Sequence, residues 1–408
     1  MQPSRRALAL TKATTPFVCR GCLSRATSQR RRTLTGAATP PPLTSPAPSG
    51  LAPLASRRLI SVSGPDAAKY LQGVITANIL TGQPPAAQTV RADQGFYAAF
   101  LTAPGRVLYD VFIYRDTANL SDLSNPDPSA TFLVEVDTDE ADRLQRHIKR
   151  YKLRAKFDVR ILGDAAVWQA WDDTTTTTTF PLPLPPNAII LPDTRAPSLG
   201  HRFLTAGSAP SVPLPAVPEE AYRLRRYLHG IPEGQSELLR EHALPLESNL
   251  DLAGAIDFRK GCYVGQELTI RTRHRGVVRK RVLPVVLYGA GQPPPDKFAY
   301  RPVFGNEEEE VGGGLHAEMV PSETSIGRVG KKGRSAGKWL RGLGNVGLAL
   351  CRLEIMTDMV LPGETAAAGG YQEGDEFVVA AAEGQEVRIK AFVPEWMKSG
   401  LSEGSSVH

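Results

Sequence analysis

Apolar residues alternate with polar ones at the two-residue period of a β-strand in several short runs along this chain. The clearest pattern covers residues 96–115, where aromatic and aliphatic side chains alternate on both sides of Pro104-Gly105. It predicts a β-hairpin that turns at the Pro-Gly pair. Residues 57–63, 131–136 and 157–162 show related patterns and predict three more strands.

Three other segments have the three- and four-residue apolar spacing of a helix. The first follows Pro65, with apolar residues at positions 70, 71, 74 and 75. The second follows Asp137 and Glu140, which have capping-box spacing. The third covers residues 219–229 and is ended by Gly230. Helices and strands therefore mix in the first part of the chain, as in an α+β fold.

The last part of the chain, residues 282–408, contains short β-like runs separated by many glycines. This pattern predicts a small β-barrel or sandwich. Residues 57–281 form the preceding predicted domain, with a low-complexity insertion near residues 172–215 that holds six consecutive threonines. The predicted fold class is thus α+β with a C-terminal β-barrel-like domain.

The formal charge of +6 is concentrated at one end of the chain. Seven arginines and Lys12 precede residue 57, and the first acidic residue is Asp66, so the remainder carries 6 − 8 = −2. Such an Arg-, Ser- and Ala-rich leader without acids is typical of a mitochondrial transit peptide. We therefore expect residues 1–56 to be a transit peptide and flexible spacer, a mature N-terminus between about residues 30 and 57, and the mitochondrial matrix as the location.

Charge and hydropathy also exclude two classes of partner. Because the basic excess belongs to the leader, it does not support nucleic-acid binding. No stretch of about 18 apolar residues occurs, so we expect no membrane span.

Four cysteines occur, and Cys19 and Cys22 have C-x-x-C spacing inside the leader, which we attribute to chance. Cys262 is different, because eight Lys and Arg residues and one acid lie between residues 259 and 281. Nearby cations stabilise a thiolate, and a thiolate is the preferred ligand of iron–sulfur clusters. The plainer interpretation is that a lone cysteine is a small buried apolar residue and that a basic run is a solvated surface. From the residues alone the plainer interpretation is favoured.

A resemblance changes that balance. Lys260-Gly-Cys-Tyr-Val-Gly-Gln-Glu267 resembles the K-G-C-Y-x-G-Q-E signature of the YgfZ-type, aminomethyltransferase-like proteins. The segments 64–73, 101–110, 222–234 and 244–249 are similar to further parts of that family, so that the resemblance covers most of residues 57–285. It implies the fold of the folate-binding glycine-cleavage T-protein and a role in iron–sulfur cluster assembly.

The resemblance also implies a set of site residues. The candidate catalytic residues are Cys262, Lys260 and Asp110, with Cys262 as the metal ligand. The candidate cofactor-binding residues are Gly261, Tyr263, Gly265, Gln266 and Glu267. We expect the two glycines to let the backbone turn around the sulfur and Gln266 and Glu267 to hold the loop by hydrogen bonds.

Three functions stay open at this point. The first is an assembly factor for mitochondrial [4Fe–4S] proteins of the aconitase and radical-SAM types, in which Cys262 shares a [2Fe–2S] or [4Fe–4S] cluster with an A-type scaffold protein and passes it to apo client proteins. The second is a tetrahydrofolate-dependent one-carbon transferase with Asp110 as its acid–base group. It is weakened by Leu228, which replaces the pterin-binding Glu of the T-proteins. RNA binding is the third and weakest. Whether the protein is an enzyme is left open, with an assembly factor favoured.

Overall fold

The computed structural model describes residues 43–81, 89–90, 95–124, 127, 129–175, 187–303, 315–331, 333–359 and 370–403. The predicted leader, with Cys19 and Cys22, and most of the threonine run lie outside these residues. Within the described ranges, none of the helices has both the length and the apolar character that crossing a membrane requires.

Two antiparallel sheets form the first part of the described chain. Their strands, with the short pair β3 and β4, are β1 (Ser49–Pro53), β2 (Arg57–Ser63), β3 (Leu80–Thr81), β4 (Thr89–Val90), β5 (Gly95–Leu101), β6 (Val107–Arg115), β7 (Thr131–Asp137), β8 (Asp158–Ile161), β9 (Ala166–Asp172), β10 (Ile189–Pro192) and β11 (His201–Thr205). The first sheet has the order β5-β6-β7-β2-β8 and the second the order β1-β9-β11-β10. The predicted hairpin is β5 and β6, paired from Gly95–Tyr114 to Leu101–Val107.

Within the described residues, six α-helices accompany these sheets and the C-terminal domain: α1 (Ala67–Val74), α2 (Ala141–Tyr151), α3 (Glu219–His229), α4 (Gln266–Arg275), α5 (Leu353–Met356) and α6 (Glu395–Glu403). Single turns of 3-10 helix occur at Thr138–Glu140, Ala317–Met319 and Ala382–Gly384. The three predicted helices are α1, α2 and α3. Gly230 ends α3 in the left-handed region at φ 74°, where a side chain would be strained.

The period of two along β6 divides its side chains between the two faces of the first sheet. Tyr109, Val111 and Ile113 point to the face covered by α1 and α2. Phe112 and Tyr114 point to the opposite face and join the core that the second sheet and α3 complete. Asp110 is on this second face as well, so it cannot share an environment with Tyr109.

The segment at Ser49–Pro53 differs from the sequence-based expectation, which made it part of a flexible spacer. It forms β1, which pairs with β9 from Ser49–Asp172 to Pro53–Trp168. Leu51, Ala52 and the following Leu54 are buried. Proline and small residues favoured the spacer interpretation, but the partner strand lies far away in sequence and local composition does not reveal it.

The C-terminal part is a closed antiparallel barrel, as the glycine-separated runs predicted. Its strands are β12 (Lys280–Tyr288), β13 (Ser325–Arg328), β14 (Gly337–Leu343), β15 (Val346–Arg352), β16 (Phe377–Ala380) and β17 (Glu386–Ala391). They close in the order β12-β15-β14-β13-β16-β17. Trp339 and Cys351 are fully buried in its core.

The pairing of β1 with β9 makes a test of where the mature protein begins. We expect cleavage upstream of Leu43, whose carbonyl oxygen accepts a hydrogen bond from Tyr300 at 2.8 Å. A chain that starts at Arg57 should have an unfolding free energy lower by at least about 3 kcal/mol, because it lacks the buried side chains of Leu51 and Leu54. N-terminal sequencing of the protein from mitochondria and urea unfolding of the two chains check this. A mature N-terminus inside or beyond β1 would contradict it.

Candidate functional site

The signature segment begins as a loop that is attached to α1 and to the β5–β6 hairpin. Thr76, fully buried just after α1, donates its hydroxyl to the Ala255 carbonyl at 2.6 Å and accepts the Ala99 N–H at 2.8 Å. The Asp257 N–H bonds the Thr76 carbonyl at 3.1 Å, and the Val264 N–H bonds the Gly73 carbonyl at 3.1 Å. The two ends of the loop are therefore held on the same helix terminus.

Lys260 fixes the middle of the loop. Its ammonium group donates to the carbonyl oxygens of Gln72, Ile75 and Ala77 at 2.8, 2.6 and 3.0 Å. These acceptors engage all three N–H donors of the ammonium group near the C-terminal end of α1, where a cation is favoured. Burial lowers the pKa of Lys260 to about 7, partly opposed by Asp257. The side chain thus positions the loop by contacts with the backbone.

The two glycines of the signature have different roles. Gly265 lies in the left-handed region at φ 83°, and a Cβ there would clash with the Thr102 carbonyl oxygen. Gly261 has no such constraint, since a Cβ would meet no described atom within 4 Å. The tight turn expected from both glycines is therefore required only at Gly265, while Gly261 leaves open space beside Cys262.

The remaining signature residues lie at the junction of the loop and α4. Tyr263 is buried, with the Lys260 ammonium 4.9 Å from its ring centroid. Gln266 accepts the Tyr263 N–H at 3.2 Å, so it holds the loop as expected. Glu267 is exposed in the first turn of α4, where a carboxylate interacts favourably with the helix dipole.

Cys262 is exposed, whereas Cys351 is buried in the barrel, where burial raises the pKa of its thiol. The sequence predicted that the Lys and Arg residues of 259–281 surround Cys262, but four of them contact other groups. Besides Lys260, Arg281 pairs with Asp251 at 2.6 Å and Lys280 with Glu247 at 3.5 Å, while Arg273 lies over the Phe258 ring. The reason is geometric: the run bends from a loop through α4 into β12, so these four cations meet different neighbours.

Asp110, the candidate acid–base residue, is fully buried. Its carboxylate pairs with Arg57 at 3.3 Å and accepts the Gly234 N–H at 3.1 Å. Burial raises the pKa of Asp110, and the Arg57 cation offsets only part of this effect. The carboxylate therefore faces the interior between the two sheets.

Asp110 belongs to a buried network that the sequence analysis missed. Glu135 pairs with Arg57 at 2.8 Å and Arg202 at 3.2 Å, and Glu233 pairs with Arg202 at 2.6 Å and Arg195 at 2.7 Å. Burial alone would raise the pKa of Glu233, but the surrounding arginines lower it well below the usual range. The available signal was Glu135, a charged residue inside the otherwise apolar run of residues 132–136. Arg202, in His201–Thr205, gave no such signal.

The network decides whether a pterin fits where the T-protein resemblance implies one. The Asp110 carboxylate and Glu233 already bind buried protein donors, and Tyr222 donates its hydroxyl to Glu233 at 2.8 Å. Leu228 packs against the apolar cluster between α3 and the barrel and offers no acceptor. A pterin needs its ring donors paired, because unpaired buried donors cost about 1–3 kcal/mol each. The residues around Asp110 do not fit this group.

Metal-ligating side chains are dispersed in the described part of the chain. No group of three or more His, Cys, Asp or Glu residues there could hold a metal ion. Cys262 is thus a single exposed thiol in this part of the chain, and hydrogen bonds hold the loop residues on both sides of it.

Comparisons with known proteins agree with this architecture. Residues 279–399 match the family model described as the CAF17 C-terminal beta-barrel domain. The crystal structure of the glycine cleavage system aminomethyltransferase T from Bartonella henselae superposes with a TM-score of 0.54 at 12% identity, covering 86% of this chain and 87% of that one. The protein is therefore built on the aminomethyltransferase fold with a C-terminal β-barrel, which confirms the predicted fold class.

Relatives that match nearly the whole chain identify the family within this fold class. The protein is 58% identical to the mitochondrial iron–sulfur cluster assembly factor IBA57 homolog of Chaetomium globosum, covering 98% of this chain and 99% of the relative. It is 53% identical to the same-named protein of Pyricularia oryzae, covering 100% of both chains, and 48% identical to that of Neurospora crassa, covering 98% and 93%. The chain belongs to this family of mitochondrial iron–sulfur cluster assembly factors.

The exposure of the two described cysteines gives a chemical test. We expect iodoacetamide to alkylate Cys262 in the native protein and to reach Cys351 only after denaturation, because access and thiolate formation both fall on burial. Peptide mass mapping before and after adding guanidinium chloride identifies the labelled residue. Native labelling of Cys351 at a comparable rate would mean that the barrel opens.

The environment of Asp110 gives a second test. In Asp110→Asn the amide oxygen can still accept the Gly234 N–H, and Arg57 keeps Glu135. We expect a loss of unfolding free energy below about 2 kcal/mol and intact cluster maturation. Glu233→Gln is the control, with an expected loss of about 3–5 kcal/mol, because it leaves several buried arginines without their carboxylate.

Urea unfolding and complementation of a strain that lacks the factor measure the two effects. Growth as poor as that of the deletion strain, at a normal level of the Asp110→Asn protein, would favour the folate-transferase hypothesis instead.

Proposed function

We propose that Cys262 supplies a thiolate ligand to an iron–sulfur cluster that this protein holds jointly with an A-type scaffold protein. The complex acts in the mitochondrial matrix and serves the maturation of [4Fe–4S] proteins of the aconitase and radical-SAM types. The observation that carries the proposal is the position of Cys262, an exposed thiol on a loop whose two ends and centre are fixed to α1.

The fixed loop matters because a shared cluster requires ligands from two proteins at defined positions. Lys260 and Thr76 hold the backbone on each side, so forming the complex orders few residues of this loop. The open space beside Gly261 leaves room for the sulfides of a cluster and for the partner's ligands. The cluster is cargo, and this protein contributes one ligand of the usual four.

In this proposal Lys260 is a positioning residue. Its ammonium donates to three carbonyl oxygens, which supports a role in holding the loop rather than in proton transfer. The folate-dependent transferase is not proposed, because the network around Asp110 and the packing of Leu228 do not suit a pterin.

Two serine substitutions test the proposal. Cys262→Ser should abolish the visible cluster absorbance that the protein retains with a [2Fe–2S]-loaded A-type scaffold, because a hydroxyl is a poor ligand for iron. Its unfolding free energy should change by no more than about 0.5 kcal/mol, as for other surface substitutions. Cys351→Ser is the matched control and should keep the colour while losing about 1–3 kcal/mol, since it buries a new hydroxyl.

Gel filtration with absorbance detection, aconitase activity in mitochondria and urea unfolding provide the measurements. Full aconitase activity and a coloured complex with Cys262→Ser would show that the thiol is not a ligand.

A further inference from the structure

A groove lies beside the signature loop, between α1, α2 and the turn of the β5–β6 hairpin. Its volume is about 1270 Å³. The residues that line the groove include Tyr70, Phe100, Leu108 and Tyr109. Val264 of the signature loop lines it as well. Because Val264 is two residues from Cys262, the groove adjoins the proposed cluster ligand.

The rim of this groove is strongly basic. Five basic residues line the groove and only two acidic ones do. The basic residues are Lys69, Arg143, Arg146, Arg150 and Arg240, and the acidic ones are Asp66 and Glu241. Glu241 pairs with Arg240 at 3.1 Å, and Glu140 pairs with Arg143 at 2.7 Å. The Asp66 carboxylate accepts the Lys156 N–H at 2.7 Å. The rim therefore presents an excess of exposed positive charge, which favours an acidic occupant.

Apolar side chains are unusually exposed around the same groove. Among the described residues, five large hydrophobic side chains are exposed, and three are here: Tyr151 at 50%, Leu153 at 86% and Val264 at 44%. Tyr151 and Val264 line the groove, and Leu153 follows α2. Apolar residues beside a basic rim are typical of a protein–protein interface.

We propose that this groove binds an acidic segment of the scaffold protein, one that carries carboxylates for the arginines of the rim and apolar side chains for Tyr151 and Val264. The inference rests on the proposed function of Cys262 and adds the surface that aligns the partner with it. An anionic membrane would engage the exposed rim, but a flat surface would not fill the groove, where Phe100 and Leu108 are buried in the wall, so a protein segment suits the concave site better.

The test compares charge reversals on two surfaces of the full chain. Arg146→Glu/Arg150→Glu alters the groove, and Arg334→Glu/Arg341→Glu makes the same change of charge at exposed positions of the barrel domain. The probe is a [2Fe–2S]-loaded A-type scaffold, and its dissociation constant is measured by calorimetry at low and high ionic strength. We expect the groove variant to bind about tenfold or more weakly at low salt, with a smaller difference at high salt, and the barrel variant to bind as the native chain does.

A second variant separates docking from folding. Tyr151→Ser removes a half-exposed ring that lines the groove, so the unfolding free energy should change little, as for other surface substitutions, while scaffold binding weakens. Cys262→Ser should still bind through the groove but without the cluster absorbance. This difference distinguishes the groove from the proposed ligand.

Three outcomes would overturn the inference. Equal binding by the native chain and the groove variant, with a coloured complex in both, would exclude the groove and leave the role of Cys262 intact. Absence of any complex with the native chain would reject both proposals. Loss of binding to anionic lipid vesicles in the groove variant, with unchanged scaffold binding, would identify the surface as a membrane site.

Discussion

The burial of charge between the two sheets is the constraint on which the rest of the structure depends. Four arginines are buried there beside five carboxylates. The arginines are Arg57, Arg195, Arg202 and Arg226, and the carboxylates are those of Asp110, Glu135, Asp193, Glu233 and Glu237. Removing a carboxylate that pairs with several arginines, such as Glu233, costs about 3–5 kcal/mol, so the cluster favours a single arrangement of the elements that carry it.

One of those elements, β6, belongs to the hairpin that also positions the signature loop. Arg57 belongs to β2, Asp110 to β6 and Arg202 to β11, so the ion pairs connect the first sheet to the second. The same hairpin that carries Asp110 turns beneath Gly265. The β5–β6 hairpin therefore does two things. One face of β6 contributes a carboxylate to the charged interior, and the turn of the hairpin contacts the loop that carries the exposed cysteine.

Local patterns in the sequence predicted the elements whose partners are near in the chain. The hairpin of β5 and β6, the helix that ends at Gly230 and the glycine-separated strands of the barrel follow from alternation, capping and turn residues. The signature around Cys262 identified the loop. What could not be predicted depends on distant contacts: β1 pairs with β9, and the basic residues after Lys260 are distributed among separate partners. Glu135 is in a predicted strand, Arg202 is in the segment predicted as a low-complexity insertion, and the contact between them joins two elements that are distant in sequence.

The pairing of β1 with β9 also sets an order of folding. Every strand of the five-stranded sheet lies between these two in the chain, so that sheet can form before β1 has a partner. During synthesis the N-terminal strand emerges first, yet the long loop that joins it to β9 makes its capture one of the later steps. Until then Leu51 and Leu54 are unburied directly after the basic leader. A chain that has folded its first sheet but not its second would therefore still expose the apolar side chains of β1.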